Sequence, residues 1–530
     1  MHGSDDTTCI LVTARIRRAL PAACECDARS ASAGCRSPWI LPMRVGATRD
    51  GAGLMLLEWA CRGYQNLPSG PLHTQWFNAD DLVFAERIND ANASLGRRPH
   101  EQSFESENDD CVELWRNPRL GRFAVAKSGI PAGKCALKAA AFAVIVKQQL
   151  ARRRCHWCFK TLTKKAFQCG SCKFALYCSR DCLDADEVLH AFQCRTLEGL
   201  HQYDFRKTRT SAWEDMGIDL ETIRLALAIL SMEHFVQTTQ PLSRLVTQTS
   251  KSSKQNEVLD QVAAFIAAGI GGIENKSLTT AHIRQTLQRV QYNAHPLCLN
   301  GATTVGVGVF PEAAMTLNHS CLPNVVPSFD MRTRTLAFHA IEEIPRGHAV
   351  EYSYIDLLQS VARRQEVLSS GFGFECTCWR CEDESNKGEP HTSPTGSSNM
   401  APAAEEDLVM QQLMQLRSSE PHHAQWNLFS QLFATHSHVF EQNHEMMFAY
   451  RMLLMKNAAA GGDWKMVIAE AETLIDMWKS QRLPEIYPTL ETLHLQIQIA
   501  AEKAGLAAKA TQARQQVMNI RRVCGNSDES

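Results

Sequence analysis

Residues 155–194 read CHWCFKTLTKKAFQCGSCKFALYCSRDCLDADEVLHAFQC, and this stretch decides much of the fold. It contains eight soft metal ligands in four pairs, each separated by two or three residues: Cys155 and Cys158, Cys169 and Cys172, Cys178 and Cys182, His190 and Cys194. A pair at this spacing can reach one ion from a single knuckle or helical turn, and Zn²⁺ takes four such ligands in a tetrahedron. The segment therefore predicts two zinc sites.

The four pairs are expected to interleave between the two sites. One ion would be held by Cys155, Cys158, Cys178 and Cys182, and the other by Cys169, Cys172, His190 and Cys194. Four protein ligands close each site, whereas a catalytic zinc keeps an open position, so both sites are predicted to be structural. A segment this small has little core of its own, and zinc binding then supplies much of its folding energy.

The spacing of these ligands resembles the MYND finger over the whole module. The resemblance implies a protein-interaction module, often one for proline-containing peptides. Lys164, Lys165 and Lys173 add local positive charge to the segment. That charge can serve DNA or acidic peptides, but a solvated surface is the simpler interpretation.

A second cysteine-rich run, CTCWRC at residues 376–381, predicts a third zinc site. It supplies three ligands, Cys376, Cys378 and Cys381, and a remote cysteine must complete a closed tetrahedron. Cys321 is the obvious candidate for the fourth ligand. Such a site would pin the C-terminal flap onto the loop that carries Asn318.

Three motifs follow one another in the second half of the chain: NHSCLPN at 318–324, SYID at 353–356 and the CTCWRC run. Together with the inserted finger, this order resembles the SET-and-MYND (SMYD) family of protein lysine methyltransferases, over residues 116–525. The resemblance implies an α+β fold, in which a SET fold of short strands is split by the two-zinc finger. It also implies a post-SET zinc site and a C-terminal helical bundle similar to tetratricopeptide repeats.

The same resemblance implies methyl transfer from S-adenosyl-L-methionine to a lysine side chain of a protein. Tyr354 aligns with the active-site tyrosine, whose hydroxyl borders the transferring methyl. The cofactor-binding residues implied by the alignment are Gly121, Arg122, Asn293, Asn318, His319, Tyr354 and Phe374. Lysine has a pKa near 10.4 and must be delivered as the neutral amine, which an aromatic channel favours by desolvation.

Three departures from the family pattern bear on catalysis. The first motif is usually Gly-x-Gly, but here Phe123 stands in the last position, where a glycine allows close approach of backbone to cofactor. The second active-site tyrosine of close relatives is Phe372 here, which removes a hydroxyl from the lysine channel. The stretch 300–304 lacks the polar residues usual before Asn318.

Composition sets the broad class of the protein. The chain has 530 residues, 44% of them hydrophobic, and a formal net charge of -2, so bulk charge suggests neither a nucleic-acid nor a membrane partner. It has no apolar run of about 18 residues and no basic segment followed by an apolar one at the N-terminus, so neither a membrane span nor a secretory signal is expected. Twenty cysteines without a signal favour metal binding over disulfides. A monomer in the cytoplasm, the nucleus or both is expected.

The predicted organisation of the chain has eight parts. They are a poorly ordered or divergent N-terminal region (1–115), the first part of SET (116–150), the finger (155–194), a helical insertion (195–290), the core of SET (291–356), the post-SET zinc region (357–383), a linker (384–404) and the C-terminal helices (405–525). Strands are predicted at 121–126 and 139–146. Predicted C-terminal helices cover 405–417, 424–437, 443–459, 463–479, 485–504 and 507–522.

Three functions remain in competition at the level of sequence. The first is an active lysine methyltransferase acting on a histone or a non-histone protein. The second is a catalytically weak adaptor, which recruits partners in transcriptional regulation through its finger. The third is a zinc-dependent DNA-binding protein, which the near-neutral charge disfavours.

Overall fold

The computed structural model describes residues 86–87, 111–117, 121–202, 213, 218–236, 240–243, 245–247, 253–270, 278–299, 303–387, 405, 408–413 and 423–525. Most of the predicted N-terminal region 1–115 and of the linker 384–404 lies outside the described residues. Within the described ranges, no helix has both the length and the apolar character that a membrane crossing requires.

The strands in the described ranges are short. They are β1 (Glu86–Arg87), β2 (Val112–Asn117), β3 (Gly121–Ala126), β4 (Cys135–Ala140), β5 (Ala143–Val146), β6 (Phe167–Gln168), β7 (Leu176–Tyr177), β8 (Ala294–Leu299), β9 (Thr303–Val309), β10 (Asn318–His319), β11 (Val325–Asp330), β12 (Thr335–Ala340) and β13 (Glu351–Tyr352). They form small sheets in the orders β1-β2-β3, β11-β12-β4, β5-β9-β8, β6-β7 and β10-β13. Only the last pair is parallel among those described, and it joins the two segments that carry Asn318 and Tyr354.

Helices and strands are mixed up to β13, and all elements described after β13 are helices. They are α1 (Arg180–Gln202), α2 (Leu220–Val236), α3 (Gln240–Ser243), α4 (Ser253–Gly269), α5 (Thr280–Asn293), α6 (Pro311–Thr316), α7 (Val361–Phe372), α8 (Trp379–Lys387), α9 (His423–Thr435), α10 (Ser437–Gln442), α11 (His444–Gly461), α12 (Trp464–Ser480), α13 (Pro488–Lys503) and α14 (Ala507–Val523). Residues 408–413 are also helical. Asp219 caps α2, because its side chain accepts the N–H of Thr222 at 2.8 Å.

The single strand predicted at 139–146 is two strands, which is a correction. β4 ends at Ala140 and β5 begins at Ala143, and the two belong to different sheets. The chain changes sheet at Ala141 and Phe142, whose N–H groups bond to the carbonyls of Arg334 and Val309. The run of alanines there contains no glycine or proline that would signal a turn.

Ordered structure begins earlier than the predicted start near residue 116. β2 starts at Val112 and pairs antiparallel with β3, and its Trp115 is 3% exposed. The run Val112-Glu113-Leu114-Trp115 does not alternate, because the buried Trp115 shares a face with Glu113, but its β-branched and aromatic residues favour a strand and were the missed signal. The predicted helix 424–437 corresponds to α9, which ends at Thr435; α10 then begins at Ser437.

The C-terminal helices pack against one another in sequence and against the strands. α11 contacts α12, α12 contacts α13, and α13 contacts α14. Gly462 and Gly505, at the ends of α11 and α13, have φ of 75° and 72°, which glycine adopts without a steric cost. The bundle shares its core with Val326, Leu357 and Leu358, so it packs against the strands close to Tyr354.

Candidate metal centres and active site

The finger brings its eight ligands together in two groups of four. Cys155, Cys158, Cys178 and Cys182 form one group, and Cys169, Cys172, His190 and Cys194 form the other. Within each group all ligand atoms lie within 4.8 Å of one another. Cys182, His190 and Cys194 lie within about the first four turns of α1, and the other five ligands precede that helix. Ser179 Oγ accepts the Cys182 N–H at 3.2 Å at the start of that helix.

The ligand spacing fits zinc quantitatively. Zn–S bonds of about 2.3 Å place two sulfurs of a tetrahedron about 3.8 Å apart, and a Zn–N bond of about 2.0 Å places nitrogen and sulfur about 3.6 Å apart. The Sγ atoms of Cys158 and Cys178 are 3.4 Å apart, and those of Cys169 and Cys194 are 3.7 Å apart. Cys172 Sγ lies 3.6 Å from His190 Nε2. These separations are too long for disulfides and match the edges of a zinc tetrahedron.

The third group unites Cys321, Cys376, Cys378 and Cys381, all of them buried. Cys321 Sγ lies 4.0 Å from Cys376 Sγ and 3.6 Å from Cys381 Sγ. The remote cysteine thus joins the local run across 55 residues of chain or more. The donor set of four sulfurs again fits a structural zinc.

Two side chains of α7 support this third centre from outside the ligand set. Gln365 makes two bonds to the backbone of Cys376: its Nε2 donates to the carbonyl at 2.6 Å, and its Oε1 accepts the N–H at 2.8 Å. The fully buried Arg364 donates from Nη2 to Glu384 at 2.7 Å and lies 3.6 Å from Cys381 Sγ. A cation and fixed hydrogen bonds around thiolates stabilise the metal-bound form.

The finger is anchored in the SET strands rather than tethered beside them. Phe159, directly after the first knuckle, is fully buried in the core formed by the strands, with its ring 5.7 Å from that of Phe329. A Cβ on Gly306 of β9 would come within 2.8 Å of the Phe159 ring, so the strand must carry glycine there. Arg334 adds a second anchor, because its guanidinium lies 3.7 Å from the centre of the Trp157 ring and donates to the Trp157 carbonyl at 2.7 Å.

Tyr354 lies at the centre of a group of aromatic rings. The ring centres of Tyr352, Phe372 and His319 are 4.9, 5.2 and 5.3 Å from that of Tyr354, and Phe374 is at 6.4 Å. The Tyr354 hydroxyl donates to the Leu317 carbonyl at 2.7 Å. Burial, with a smaller contribution from Glu351, raises the pKa of Tyr354 above its usual range, so the hydroxyl is protonated at neutral pH.

His319 connects this aromatic group to the third metal centre. The Tyr354 N–H donates to His319 Nδ1 at 3.0 Å, so Nδ1 is an acceptor and Nε2 of the neutral ring carries the proton. Nε2 lies 3.3 Å from Cys321 Sγ, within reach of donation to a thiolate. The ligand Cys321 and the tyrosine are thereby held on opposite sides of one imidazole.

The predicted cofactor residues occupy neighbouring elements. Asn318 and His319 form β10. This strand contacts β3, to which Gly121 and Arg122 belong. Gly121 has φ of 70°, a left-handed conformation that favours glycine. Phe374 is 36% exposed, and its ring centre is 6.1 Å from that of His319. An exposed aromatic face therefore lies beside the strand that carries Asn318.

Asn293 ends α5 and uses its side-chain amide for local structure. Its Nδ2 donates to the carbonyls of Val246 and Arg289 at 2.9 and 2.8 Å. Phe123, the residue that departs from the Gly-x-Gly pattern, is 2% exposed and stands opposite Trp115 in the sheet. In the stretch 300–304, residues 300–302 lie outside the described residues.

Sequence reasoning missed His295, which lies behind Tyr354. Its Nε2 accepts a hydrogen bond from the Tyr352 hydroxyl at 2.7 Å, and the two rings stack at 5.8 Å with an interplanar angle of 18°. Burial lowers the pKa of His295 to about 4. His295 and Leu297 face inward from β8, so the period-2 pattern of that strand was the one available signal.

Comparison with known proteins supports the family resemblance. The family model described as the MYND finger matches residues 155–194. The histone-lysine N-methyltransferase ASHR1 of Arabidopsis thaliana is 26% identical over 295 residues, which cover 53% of this chain and 57% of that protein. The N-lysine methyltransferase SMYD2 of Homo sapiens is 27% identical over 282 residues, covering 51% of this chain and 60% of that protein.

The alignments with these two relatives therefore span less than two thirds of each relative's length. Among solved structures, the SET domain of LSMT bound to lysine and AdoHcy is similar at 14% identity and a TM-score of 0.25, covering 78% of this chain and 88% of that one. The chain therefore carries a MYND finger at residues 155–194 and is similar, over about half of its length, to two protein lysine methyltransferases.

Proposed function

We propose that the protein is an S-adenosyl-L-methionine-dependent protein lysine N-methyltransferase. The observation that carries the proposal is the ring of aromatic side chains around Tyr354. We infer that these rings line a lysine channel beside the Tyr354 hydroxyl, which the Leu317 carbonyl orients. Such a lining disfavours an ammonium by desolvation and admits a neutral amine, the form in which lysine is a nucleophile.

Positioning is the main task of the protein in this reaction. The methyl donor would supply a methyl group on a sulfonium sulfur: the neutral lysine amine would bond to that carbon as the carbon–sulfur bond breaks, and the thioether would leave. The Tyr354 hydroxyl is held by the Leu317 carbonyl, which leaves its oxygen lone pairs available to face a polarised methyl group or the amine. A fixed geometry of this kind lowers the barrier by removing the entropy cost of alignment.

The methyl donor would be held by Gly121, Arg122, Asn293, Asn318, His319, Tyr354 and Phe374. Asn318 is half-buried in β10, where its backbone can bond a ligand on the side away from β13. The exposed face of Phe374 offers a stacking surface for a planar base. The zinc ions of the three centres would shape the site without taking part in the chemistry, because four ligands close each centre.

Calorimetry of the purified full chain with S-adenosyl-L-methionine tests the proposal first. Binding at one site per chain is the expected result, and absence of binding contradicts the enzyme hypothesis. Methylation of a peptide library is the second step, with Tyr354→Phe as the variant. Loss of the hydroxyl should lower turnover at unchanged cofactor affinity, whereas Tyr450→Phe, the same change in the C-terminal helices, should leave it unaltered.

The adaptor hypothesis is the second candidate function, and Phe372 favours it. Phe372 packs 5.2 Å from Tyr354 but brings no hydroxyl to the channel. In this case the finger would recruit a protein partner, and Phe167, 41% exposed on β6, offers an apolar surface to a proline ring. Capture of proline-containing peptides by the full chain, lost in Phe167→Ser, together with no cofactor binding, would favour the adaptor.

The substrate in the enzyme proposal is a protein lysine, on a histone or another protein. A monomeric state and residence in the cytoplasm, the nucleus or both complete the proposal. Sedimentation of the purified chain and fractionation of cells that express it would test these two points.

A further inference from the structure

The buried pair of His295 and Tyr352 has no part in the proposed chemistry, yet it lies directly behind Tyr354. His295 belongs to β8 and Tyr352 to β13, which are 57 residues apart in the chain. Both side chains are buried, at 4% and 8% exposure. A hydrogen bond between two buried polar groups that are far apart in the sequence favours one specific packing of the interior.

The protonation of the pair follows from its hydrogen bonds. His295 Nδ1 lies 3.1 Å from the Asn293 carbonyl, which can only accept, so Nδ1 carries the proton. Nε2 is then the acceptor for the Tyr352 hydroxyl. The imidazole is neutral and has one tautomer, and neither ring can turn over without breaking a hydrogen bond in the buried interior.

Further aromatic contacts fix the planes of the two rings. Phe310 meets His295 edge-on at 5.9 Å, and Phe338 meets Tyr352 edge-on at 5.0 Å. The Tyr352 carbonyl accepts the Ser320 N–H at 3.0 Å, directly after His319. Tyr352 is thus held at its backbone by Ser320, the residue after β10, and at its hydroxyl by His295.

The Tyr352 ring also packs against the ring of Tyr354, and the two ring centres are 4.9 Å apart. Tyr354 is also held by its hydroxyl on Leu317 and by its N–H on His319. Of the four rings around that of Tyr354, the Tyr352 ring is the nearest. We propose, on the basis of the methyltransferase function proposed above, that His295 is a positioning residue, which orients the Tyr354 hydroxyl by fixing the ring of Tyr352.

Four variants of the full chain test this inference: His295→Phe, Tyr352→Phe, the double variant, and Tyr450→Phe as a matched control. Each single variant keeps an aromatic ring and leaves one buried polar atom without its partner. The double variant removes both polar atoms and keeps the stacked rings. The turnover number is calculated per cofactor-binding site, and calorimetry gives the number of these sites. Loss of folded protein therefore does not change the measured turnover number.

The expected result is a fall in kcat of about tenfold in each single variant, with KM for the peptide unchanged within about twofold. The double variant should lose no more activity than either single variant, because each single change already removes the His295–Tyr352 hydrogen bond. Tyr450→Phe should behave as the wild type. Equal kcat in all variants, even with lower thermal stability, would overturn the inference and leave the pair a packing feature.

A spectroscopic readout separates this inference from the proposed function. A fluorinated tyrosine at position 354 reports the local environment by its ¹⁹F resonance in the absence of any turnover. A shifted or broadened resonance in both single variants supports positioning, even if the wild-type chain methylates nothing and the proposed function fails. An unchanged resonance overturns positioning, even if the wild-type chain is an active enzyme.

Discussion

The carboxyl group of Glu342 lies in the turn after β12, where the strands meet the C-terminal helices. Among the described residues, none lies within hydrogen-bond distance of its buried Oε1. Burial raises the pKa of Glu342 from 4.5 to about 7. The folded protein therefore binds a proton that the unfolded chain releases between these two values, so the free energy of unfolding should fall as pH rises from about 4.5 to 7.

Glu342→Gln should remove this dependence, because an amide does not titrate. Denaturant unfolding at pH 5 and pH 8 should show a loss on the order of 1–3 kcal/mol in the wild type and a clearly smaller one in the variant. Glu343→Gln is the matched control, since that neighbouring side chain is exposed. Equal pH dependence in the wild type and in Glu342→Gln would contradict the prediction.

A hydroxyl at Phe372 should change the product of the proposed reaction. The Phe372 ring lies 5.2 Å from that of Tyr354, so Phe372→Tyr would add an oxygen to the lining that can bond the amine and occupy space needed by added methyls. We expect mass spectrometry of a methylated peptide to shift toward the monomethyl product. Phe235→Tyr, on a ring that is 60% exposed, makes the same change elsewhere and should alter nothing.

At the scale of elements, the turn between β11 and β12 contacts the finger through Arg334. Arg334 has φ of 53°, and its carbonyl accepts the Ala141 N–H at 3.0 Å while its side chain covers Trp157. Arg334→Ala should lower the free energy of unfolding by about 1–3 kcal/mol, through loss of the cation–π contact and of a hydrogen bond from a charged donor.

Zinc release from the finger should also become faster in Arg334→Ala, because Trp157 lies between two ligands of the first centre. A colorimetric chelator would measure the rate. Arg332→Ala, on the same turn but exposed, is the control. An unchanged release rate would mean that the anchor is not connected to the metal.

Elements also show how far sequence reasoning extends. Zinc ligands such as Cys155 and Cys158 are predictable because ligand spacing is a local property of the chain. The ends of α11 and α13 are predictable from Gly462 and Gly505, which follow them in the sequence. The two sheets that share residues 139–146 are not predictable in this way, because the break at Ala141 is set by long-range partners.

The candidate site divides along the same line. Tyr354, Asn318 and Cys321 belong to sequence motifs, so their roles are predictable from a resemblance to a known family. His295 has no motif, and its role depends on Tyr352, which lies on another strand and donates to it across the interior. Such a pair is recognisable only when the strands are already placed.

At the scale of the whole molecule, the burial of Phe159 in the SET core joins metal binding to global stability. Removal of zinc from the full chain with a strong chelator should lower the midpoint of thermal unfolding and expose β9, beside which Phe159 packs. Hydrogen exchange read by mass spectrometry would measure the loss of protection at residues 303–309.

Readdition of zinc should restore that protection, and metal analysis of the untreated protein should give three ions per chain, one for each cluster of four ligands. If exchange rose only within residues 155–194, the finger would be an independent module and the prediction would be wrong.

Insertion of the finger between two paired strands also has a consequence for biosynthesis. Val146 of β5 pairs with Gly306 of β9, so about 160 residues must leave the ribosome before this sheet can close. A flexible loop of that length makes closure costly in entropy and slow. If the inserted finger folds early around its own zinc ions, the flexible part of the loop becomes shorter. Phe159 is then already in place when β9 is synthesised. The supply of zinc during translation would then determine how many new chains escape aggregation.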